Sequence, residues 1–260
     1  MNPTPYSLNS PWTWAVPLLA LLAGLGVWLT DCNSSLFLRL NGLGPRSSDS
    51  LWAQITLLGD TLVAFSLLGL FARRRPDIVW ALLLAALFTT LWVHGLKPLL
   101  HIPRPLMELG AGQVHVIGIP LLRGSFPSGH TATAFTLAGV ICLQRVPLTL
   151  TVVSLLLAIL IGLSRVVVGA HWPLDILGGA FGGWLGAVMG ATLARRWPAP
   201  RAWGYRFGSG LALLGCSLSL LILHDSGYPS ALWLQQAIGL LATAILLWHL
   251  FELLHQRSTG

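Results

Sequence analysis

The stretch SRVVVGAHWPLD, from Ser164 to Asp175, joins two long apolar segments at roughly residues 148–168 and 173–194. Each segment is close to the length of about 20 apolar residues that a helix needs to cross a bilayer. The stretch also holds an arginine, a histidine and an aspartate, although only 9% of the 260 residues are charged. The flanking segments therefore indicate the fold class, and the polar residues between them indicate a site.

Composition places the whole chain among the membrane proteins. Of its residues, 55% are hydrophobic and the mean hydropathy is +0.75, whereas a soluble domain carries about 25% charged residues. Eight apolar runs lie at roughly residues 12–30, 51–72, 78–96, 129–144, 148–168, 173–194, 207–223 and 231–252. We therefore predict an all-α, polytopic membrane helix bundle, whose last two runs are either two spans or one re-entrant pair. No Lys or Arg precedes the first run and no cleavage site follows it, so we expect a retained helix rather than a signal peptide.

The basic residues predict the orientation in the membrane. With the N-terminus inside, nine of the 15 lysines and arginines fall in cytoplasmic segments, as the positive-inside rule requires. These nine are Arg73, Arg74, Arg75, Arg145, Arg195, Arg196, Arg201, Arg206 and Arg257. Both termini are then cytoplasmic. The net charge of +7 comes from short clusters between apolar runs, which disfavours nucleic-acid binding because that needs a continuous basic face.

The opening stretch carries the first candidate pair. His171 and Asp175 are four residues apart, so on a helix they share one face and the carboxylate can orient the imidazole as a nucleophile or base. The same pair also fits a simple helix cap, with Pro173 in the first turn. On spacing alone, a catalytic pair and a helix cap are equally well supported.

A second polar cluster, Pro127-Ser128-Gly129-His130, opens the fourth apolar run. A helix N-terminus presents free backbone N–H groups and a partial positive charge, which bind anions. Ser128 would cap this helix, Gly129 would let a ligand approach the backbone, and His130 could donate a proton. The alternative is a plain helix cap with an incidental histidine.

Three cations lie on the same predicted non-cytoplasmic face as these clusters: Lys97, Arg104 and Arg165. A single cation there could be a topology signal or could reach towards lipid headgroups. Three cations together with a helix N-terminus and two histidines suggest a phosphate-binding cage. His130, His171 and Asp175 could alternatively hold a metal ion, but the neighbouring cations would repel it.

These residues form three motifs, KxxxxxxRP at 97–105, PSGH at 127–130 and SRxxxxxHxxxD at 164–175. In order and in spacing the three motifs resemble those of the type 2 phosphatidic acid phosphatase superfamily, over about residues 50–195. The resemblance implies that His171 attacks phosphorus, Asp175 holds its ring and His130 protonates the leaving oxygen. It further implies that the phosphoryl oxygens bind to Lys97, Arg104, Ser128, Gly129 and Arg165. It implies neither a metal nor any other cofactor.

The resemblance also divides the chain. Residues 1–200 would form a six-helix membrane phosphatase core, and residues 201–260 a hydrophobic helix pair of unknown role. The pair could shield the bundle, form a dimer contact or shape the lipid entrance. If the three motifs suffice, deletion from about Pro200 onward leaves hydrolysis intact.

The resulting expectation is a multi-pass inner-membrane lipid phosphatase or pyrophosphatase whose site faces the non-cytoplasmic, periplasmic side. Its partners would be the bilayer and a lipid phosphate, such as undecaprenyl pyrophosphate, phosphatidylglycerol phosphate, phosphatidic acid or lipid A 1-phosphate, with no obligatory protein partner. A lipid phosphotransferase would use the same intermediate, and a non-catalytic lipid binder or transporter is a third possibility. His101 and Arg123 are further candidates for contact with the substrate head.

Overall fold

The structure, a computed structural model, describes residues 11–144, 146–197 and 202–258. Arg145 and Arg201, assigned above to cytoplasmic segments, lie outside these ranges. The described residues form no strand, so the all-α prediction is confirmed. The helices are α1 (Pro11–Leu29), α2 (Asn33–Asn41), α3 (Asp49–Leu57), α4 (Thr61–Gly69), α5 (Pro76–Leu100), α6 (Pro105–Leu109), α7 (Gly129–Leu143), α8 (Leu148–Val167), α9 (Pro173–Arg196), α10 (Trp203–Ile222) and α11 (Leu232–Ser258), with a 3₁₀ turn at Pro229–Ala231.

The long helices have the length and apolarity of membrane spans. Five segments of the described chain meet both conditions, and two bent pairs, α1 with α2 and α3 with α4, raise the number to as many as seven. The fourth apolar run forms α7, which is shorter at 15 residues. The last two runs form separate helices of 20 and 27 residues, α10 and α11, rather than a short re-entrant pair.

The second apolar run differs from the single span expected from its composition. It is divided into α3 and α4, which are bent by 62° relative to each other. The break follows from Asp60, whose side chain accepts hydrogen bonds from the backbone N–H groups of Leu62 and Val63 and so begins a new helix. The carboxylate is therefore used as a cap and does not face lipid unpaired.

Helix α9 lies at the centre of the bundle and packs against α1, α5 and α7. Its glycines permit this packing, because side chains would hold the helices apart. A Cβ atom on Gly190 would overlap the backbone of Ala85 in α5, and one on Gly183 would overlap the backbone of Ala132 in α7. Since α9 begins two residues after His171, this close packing brings the first turns of α7 and α9 together.

The C-terminal helices pack on each other and on α4. Gln235 is buried between them, and its amide nitrogen donates to the carbonyl oxygens of Leu220 and His224. These two bonds close the turn between α10 and α11. The division of the chain at residue 200 stays a prediction.

Candidate active site

The short loop between α8 and α9 positions His171, and the first turn of α9 positions Asp175. The Oδ2 atom of Asp175 lies 3.2 Å from Nδ1 of His171 and accepts a hydrogen bond of 2.8 Å from the backbone N–H of Trp172. It also accepts a short hydrogen bond from the hydroxyl of Ser125. Asp175 therefore caps α9 and contacts the imidazole at the same time, so the two interpretations of this pair are compatible.

The carboxylate also selects the tautomer of His171. An ionised carboxylate only accepts hydrogen bonds, so Nδ1 carries the proton and Nε2 keeps its lone pair. His171 is 2% exposed. Burial, followed by the positive charges of Arg104 and Arg165, holds the pKa of His171 well below its ordinary value. The ring is therefore neutral at pH 7, which is the form in which Nε2 can attack an electrophile.

Arg104 lies beside the free nitrogen of this ring. Its Nη1 atom is 3.5 Å from Nε2 of His171 and donates a hydrogen bond of 2.9 Å to the carbonyl oxygen of Ala170. Its Nε atom donates to the carbonyl oxygen of Arg123, also at 2.9 Å. These backbone carbonyls hold the guanidinium in place, so it can contact an oxygen of any group that reaches Nε2.

Arg165 comes from the last turn of α8 and is 3% exposed. Its Nη1 atom donates to the hydroxyl oxygens of Thr56 and Tyr228. Both partners lie outside the three motifs. Tyr228 belongs to the loop between α10 and α11, so the C-terminal pair contributes a contact to this site.

The N-terminus of α7 forms the opposite wall. The Ser128 side chain accepts a hydrogen bond from the backbone N–H of Thr131, and the backbone N–H of Ser128 donates to the carbonyl oxygen of Asp175 at 3.0 Å. A Cβ atom on Gly129 would meet only Val93, at 3.6 Å, so space remains beside this turn. The predicted cap at Ser128 is thus present, and the space beside Gly129 is bordered by an apolar side chain, that of Val93.

Lys97 and His130 complete the predicted set. Lys97 lies in the last turn of α5, and its aliphatic chain passes close to Gly124. The positive charges of Lys97, Arg104 and Arg165 all act on both His130 and His171. The structure therefore brings the eight predicted site residues together at one end of the bundle.

A partly open apolar cavity adjoins this site between α4, α5 and α7. Gly129 forms part of its wall, and Thr61 and His94, both exposed, are also among its lining residues. The side chains facing it are mostly apolar, among them Phe65, Leu68 and Val93. The cavity can therefore accept a hydrocarbon chain whose polar end lies near Gly129.

The alternative that His130, His171 and Asp175 hold a metal ion is not supported by the arrangement of the described side chains. Within residues 11–144, 146–197 and 202–258, no three His, Cys, Asp or Glu side chains are grouped so that they could hold an ion. His171 and Asp175 instead contact each other through Nδ1 and Oδ2.

Three residues of the site were missed by sequence reasoning: Ser125, Thr56 and Tyr228. Ser125 and Thr56 carry no signal, because a single hydroxyl in or beside an apolar run is common. Tyr228 did carry one, since its polar segment HDSGYPS falls on the same predicted face as the motifs. Of the two further candidates, Arg123 contributes its carbonyl oxygen to Arg104, and His101 ends α5 with a φ of 48°.

The chain is similar to named proteins in sequence and in structure. The family model of the PAP2 superfamily matches residues 78–199. The Escherichia coli protein YbjG, provisionally named an undecaprenyl-diphosphatase, is 32% identical over 169 residues, which are 62% of this chain and 81% of that protein. A lipid A 1-phosphatase of Rhizobium etli is 42% identical over 74 residues, 27% of this chain and 30% of that protein. The crystal structure of Aquifex aeolicus LpxE has a TM-score of 0.56 and 33% identity, covering 64% of this chain and 95% of that one.

The segment matched by the family model contains all eight predicted site residues and ends before α10. The helices α10 and α11 are therefore outside the part of the chain that this match describes.

Proposed function

The chain belongs to the PAP2 superfamily and is a multi-pass membrane phosphatase of lipid phosphates, and on that premise we propose that it hydrolyses a lipid pyrophosphate or phosphomonoester through a phosphohistidine, without a metal ion. The observation that carries the proposal is a buried His171 whose Nδ1 contacts Asp175 and whose Nε2 lies 3.5 Å from Arg104.

In the first step, Nε2 of His171 attacks phosphorus and the bond from phosphorus to the leaving oxygen breaks. The negative charge of the bound phosphate favours the protonated form of His130. His130 gives this proton to the leaving oxygen, so the lipid leaves as an alcohol or a monophosphate. General acid catalysis of this kind contributes about 10²–10⁴ in rate. The ring of His171 becomes cationic as the nitrogen–phosphorus bond forms, and Asp175 stabilises that charge through Nδ1–H.

In the second step, water attacks the phosphohistidine. His130, now neutral, takes a proton from the water, and His171 leaves with its lone pair restored on Nε2. Inorganic phosphate is released and both histidines return to their starting forms. The covalent intermediate divides one difficult displacement into two easier ones.

The three cations and the first turn of α7 would stabilise both transition states. Negative charge on the equatorial phosphoryl oxygens is the main target of catalysis in phosphoryl transfer. Arg104 and Arg165 are buried, so their charges act in a medium that screens them weakly. Lys97 adds a point charge, and Gly129 adds a backbone N–H group at the helix N-terminus. Ser128 adds its hydroxyl proton, because its oxygen accepts hydrogen bonds from Thr131 and its backbone N–H is already bound to Asp175.

Undecaprenyl pyrophosphate is the first substrate to test. A relative matched over 169 residues is provisionally named for that activity, and the match covers 81% of its length. The apolar cavity beside Gly129 supports a substrate with a hydrocarbon chain. Lipid A 1-phosphate comes second, because a shorter match of 74 residues is to an enzyme named for it. We place the protein in the inner membrane with both termini cytoplasmic and the site facing the periplasm.

The test is phosphate release by the purified protein in detergent with a chelator present. The lipids are undecaprenyl pyrophosphate, phosphatidylglycerol phosphate, phosphatidic acid and lipid A. We expect release from at least one lipid and none above background from His171→Ala. The matched control is His249→Ala, because His249 is also 2% exposed but lies in the C-terminal half of α11, whereas the loop that contacts the site precedes the start of that helix.

Two outcomes would contradict the proposal. Release that persists in His171→Ala would exclude the phosphohistidine, and release abolished by the chelator would exclude metal-independent hydrolysis. Labelled phosphate that appears on a second lipid instead of in solution would assign the protein as a phosphotransferase.

A further inference from the structure

The loop between α10 and α11 reaches into the site that the motifs form, although it lies outside the matched family segment. We propose that the C-terminal helix pair contributes to catalysis at this site. Tyr228 is a positioning residue that orients the guanidinium of Arg165 so that it can bind the phosphoryl group. This inference rests on the proposed function and adds a residue to it.

The first support is the pair of hydroxyl groups that hold one nitrogen of Arg165. Nη1 donates to the hydroxyl oxygen of Tyr228 at 2.7 Å and to that of Thr56. The guanidinium carbon also lies 5.9 Å from the centre of the Tyr228 ring. Tyr228 is 7% exposed, so this contact is buried from solvent. An arginine side chain has many rotamers, and two fixed acceptors on one nitrogen restrict it to few.

The second support is what remains free on Arg165. Its Nε–H is buried and has no hydrogen-bond partner among the residues that the structure describes. A buried N–H without a partner is costly, and an oxygen of a bound phosphoryl group would satisfy it. Thr56 and Tyr228 thus occupy one side of the guanidinium and leave another donor for the substrate.

The third support is that the loop is anchored and cannot turn away freely. The carbonyl oxygen of Gly227 accepts a hydrogen bond of 3.1 Å from the backbone N–H of Ile119, in the loop that precedes PSGH. Gly118 has a φ of 85°, and a Cβ atom there would overlap both the Gly227 carbonyl and the Tyr228 ring. The two loops therefore touch along their backbones, next to the site.

A fourth contact fixes the other end of the same loop. Nε2 of His224 lies 2.9 Å from Oδ2 of Asp60, whose Oδ1 atom caps α4. A Cβ atom on the preceding residue, Gly59, would lie 3.0 Å from Cβ of His130. The loop is thus held on both sides of the site, against α4 and against the loop of residues 110–128. These contacts argue against the expectation that residues 201–260 can be deleted without loss of hydrolysis.

The test is Tyr228→Phe in the full-length protein, measured on the lipid that the wild type hydrolyses. This change removes one hydroxyl and keeps the ring beside Arg165. Because Thr56 still holds Nη1, we expect kcat to fall about tenfold, the lower end for a hydrogen bond to a charged group. KM should stay within about threefold, since Lys97 and Arg104 still bind the phosphate. The matched control is Tyr205→Phe, because Tyr205 lies near the opposite end of α10 and packs on Trp80.

A double-mutant cycle separates positioning from a general structural role. If Tyr228 acts through Arg165, adding Tyr228→Phe to Arg165→Lys should lower kcat by less than twofold further. A multiplicative loss in that cycle would overturn the proposal, as would a kcat for Tyr228→Phe within twofold of wild type. An inactive wild type would instead contradict the proposed function, so the two failures are distinguishable.

Discussion

Replacing Ser125 by alanine tests how the carboxylate of Asp175 is held. Ser125 is fully buried, and its hydroxyl donates a short hydrogen bond to Oδ2 of Asp175. That oxygen also accepts a hydrogen bond from the backbone N–H of Trp172 and lies beside Nδ1 of His171. Loss of the hydroxyl leaves two of three donors, so we expect the carboxylate of Asp175 to be held less firmly and to orient the imidazole less well.

The size of the effect follows from these contacts. A hydrogen bond to a charged group contributes about 1.5–3 kcal/mol, and each 1.36 kcal/mol lost in the transition state lowers the rate about tenfold. The full bond would therefore account for about 10- to 150-fold in kcat. Because the backbone N–H of Trp172 continues to hold the carboxylate, we expect a loss near the lower end of this range. The kcat of Ser125→Ala should be about 10- to 30-fold below that of the wild type.

The assay is steady-state phosphate release from the preferred lipid, with kcat and KM measured separately and the thermal midpoint recorded for each variant. Ser66→Ala is the matched control, since Ser66 is also fully buried and its hydroxyl donates to the carbonyl oxygen of Leu62, in α4. A kcat within twofold of wild type for Ser125→Ala would refute the reasoning. Equal losses in Ser125→Ala and Ser66→Ala would show that the cause is a general loss of stability.

Three further outcomes are expected. Asp175→Asn should lower kcat by about 10³–10⁴, because an amide that donates to Nδ1 would move the proton of His171 onto Nε2; a loss under tenfold would contradict the assigned tautomer. The lowered pKa of His171 means that its neutral form persists as the pH falls. We therefore expect the imidazole of His171, followed by NMR, to stay neutral well below pH 6.5, the ordinary value, and protonation of this ring at or above that pH would contradict the burial argument. Gly183→Ala should lower the stability by about 1–3 kcal/mol because its Cβ overlaps Ala132, whereas Gly95→Ala, with nothing within 4 Å, should not; thermal melting measures both.

Much of the fold was predictable because membrane insertion depends on local composition. Every one of the eight apolar runs corresponds to a helix or to a bent pair of helices. The break in the second run was not predicted. An aspartate such as Asp60 within an apolar run indicates only that its charge would be costly to expose to lipid, and it does not by itself indicate a new helix start. Only the structure shows that this carboxylate caps α4 and contacts His224.

The glycines of α9 illustrate the same division. Four of them recur every four residues, and this spacing alone predicts that another helix packs closely against α9. Which helix fills the contact depends on the tertiary structure, and the stripe at Gly178, Gly182, Gly186 and Gly190 lies mostly against α5. A second face, at Gly179 and Gly183, packs against α7.

The membrane class and the eight predicted site residues could be inferred from the sequence alone, because both inferences depend on residue types at short, fixed spacings. The tertiary structure alone decided what holds those residues. Arg165 contacts Thr56 and Tyr228, which are 109 and 63 positions away in the chain, and Asp175 contacts Ser125, 50 positions away. No spacing rule connects residues so far apart, because their meeting depends on how the helices pack.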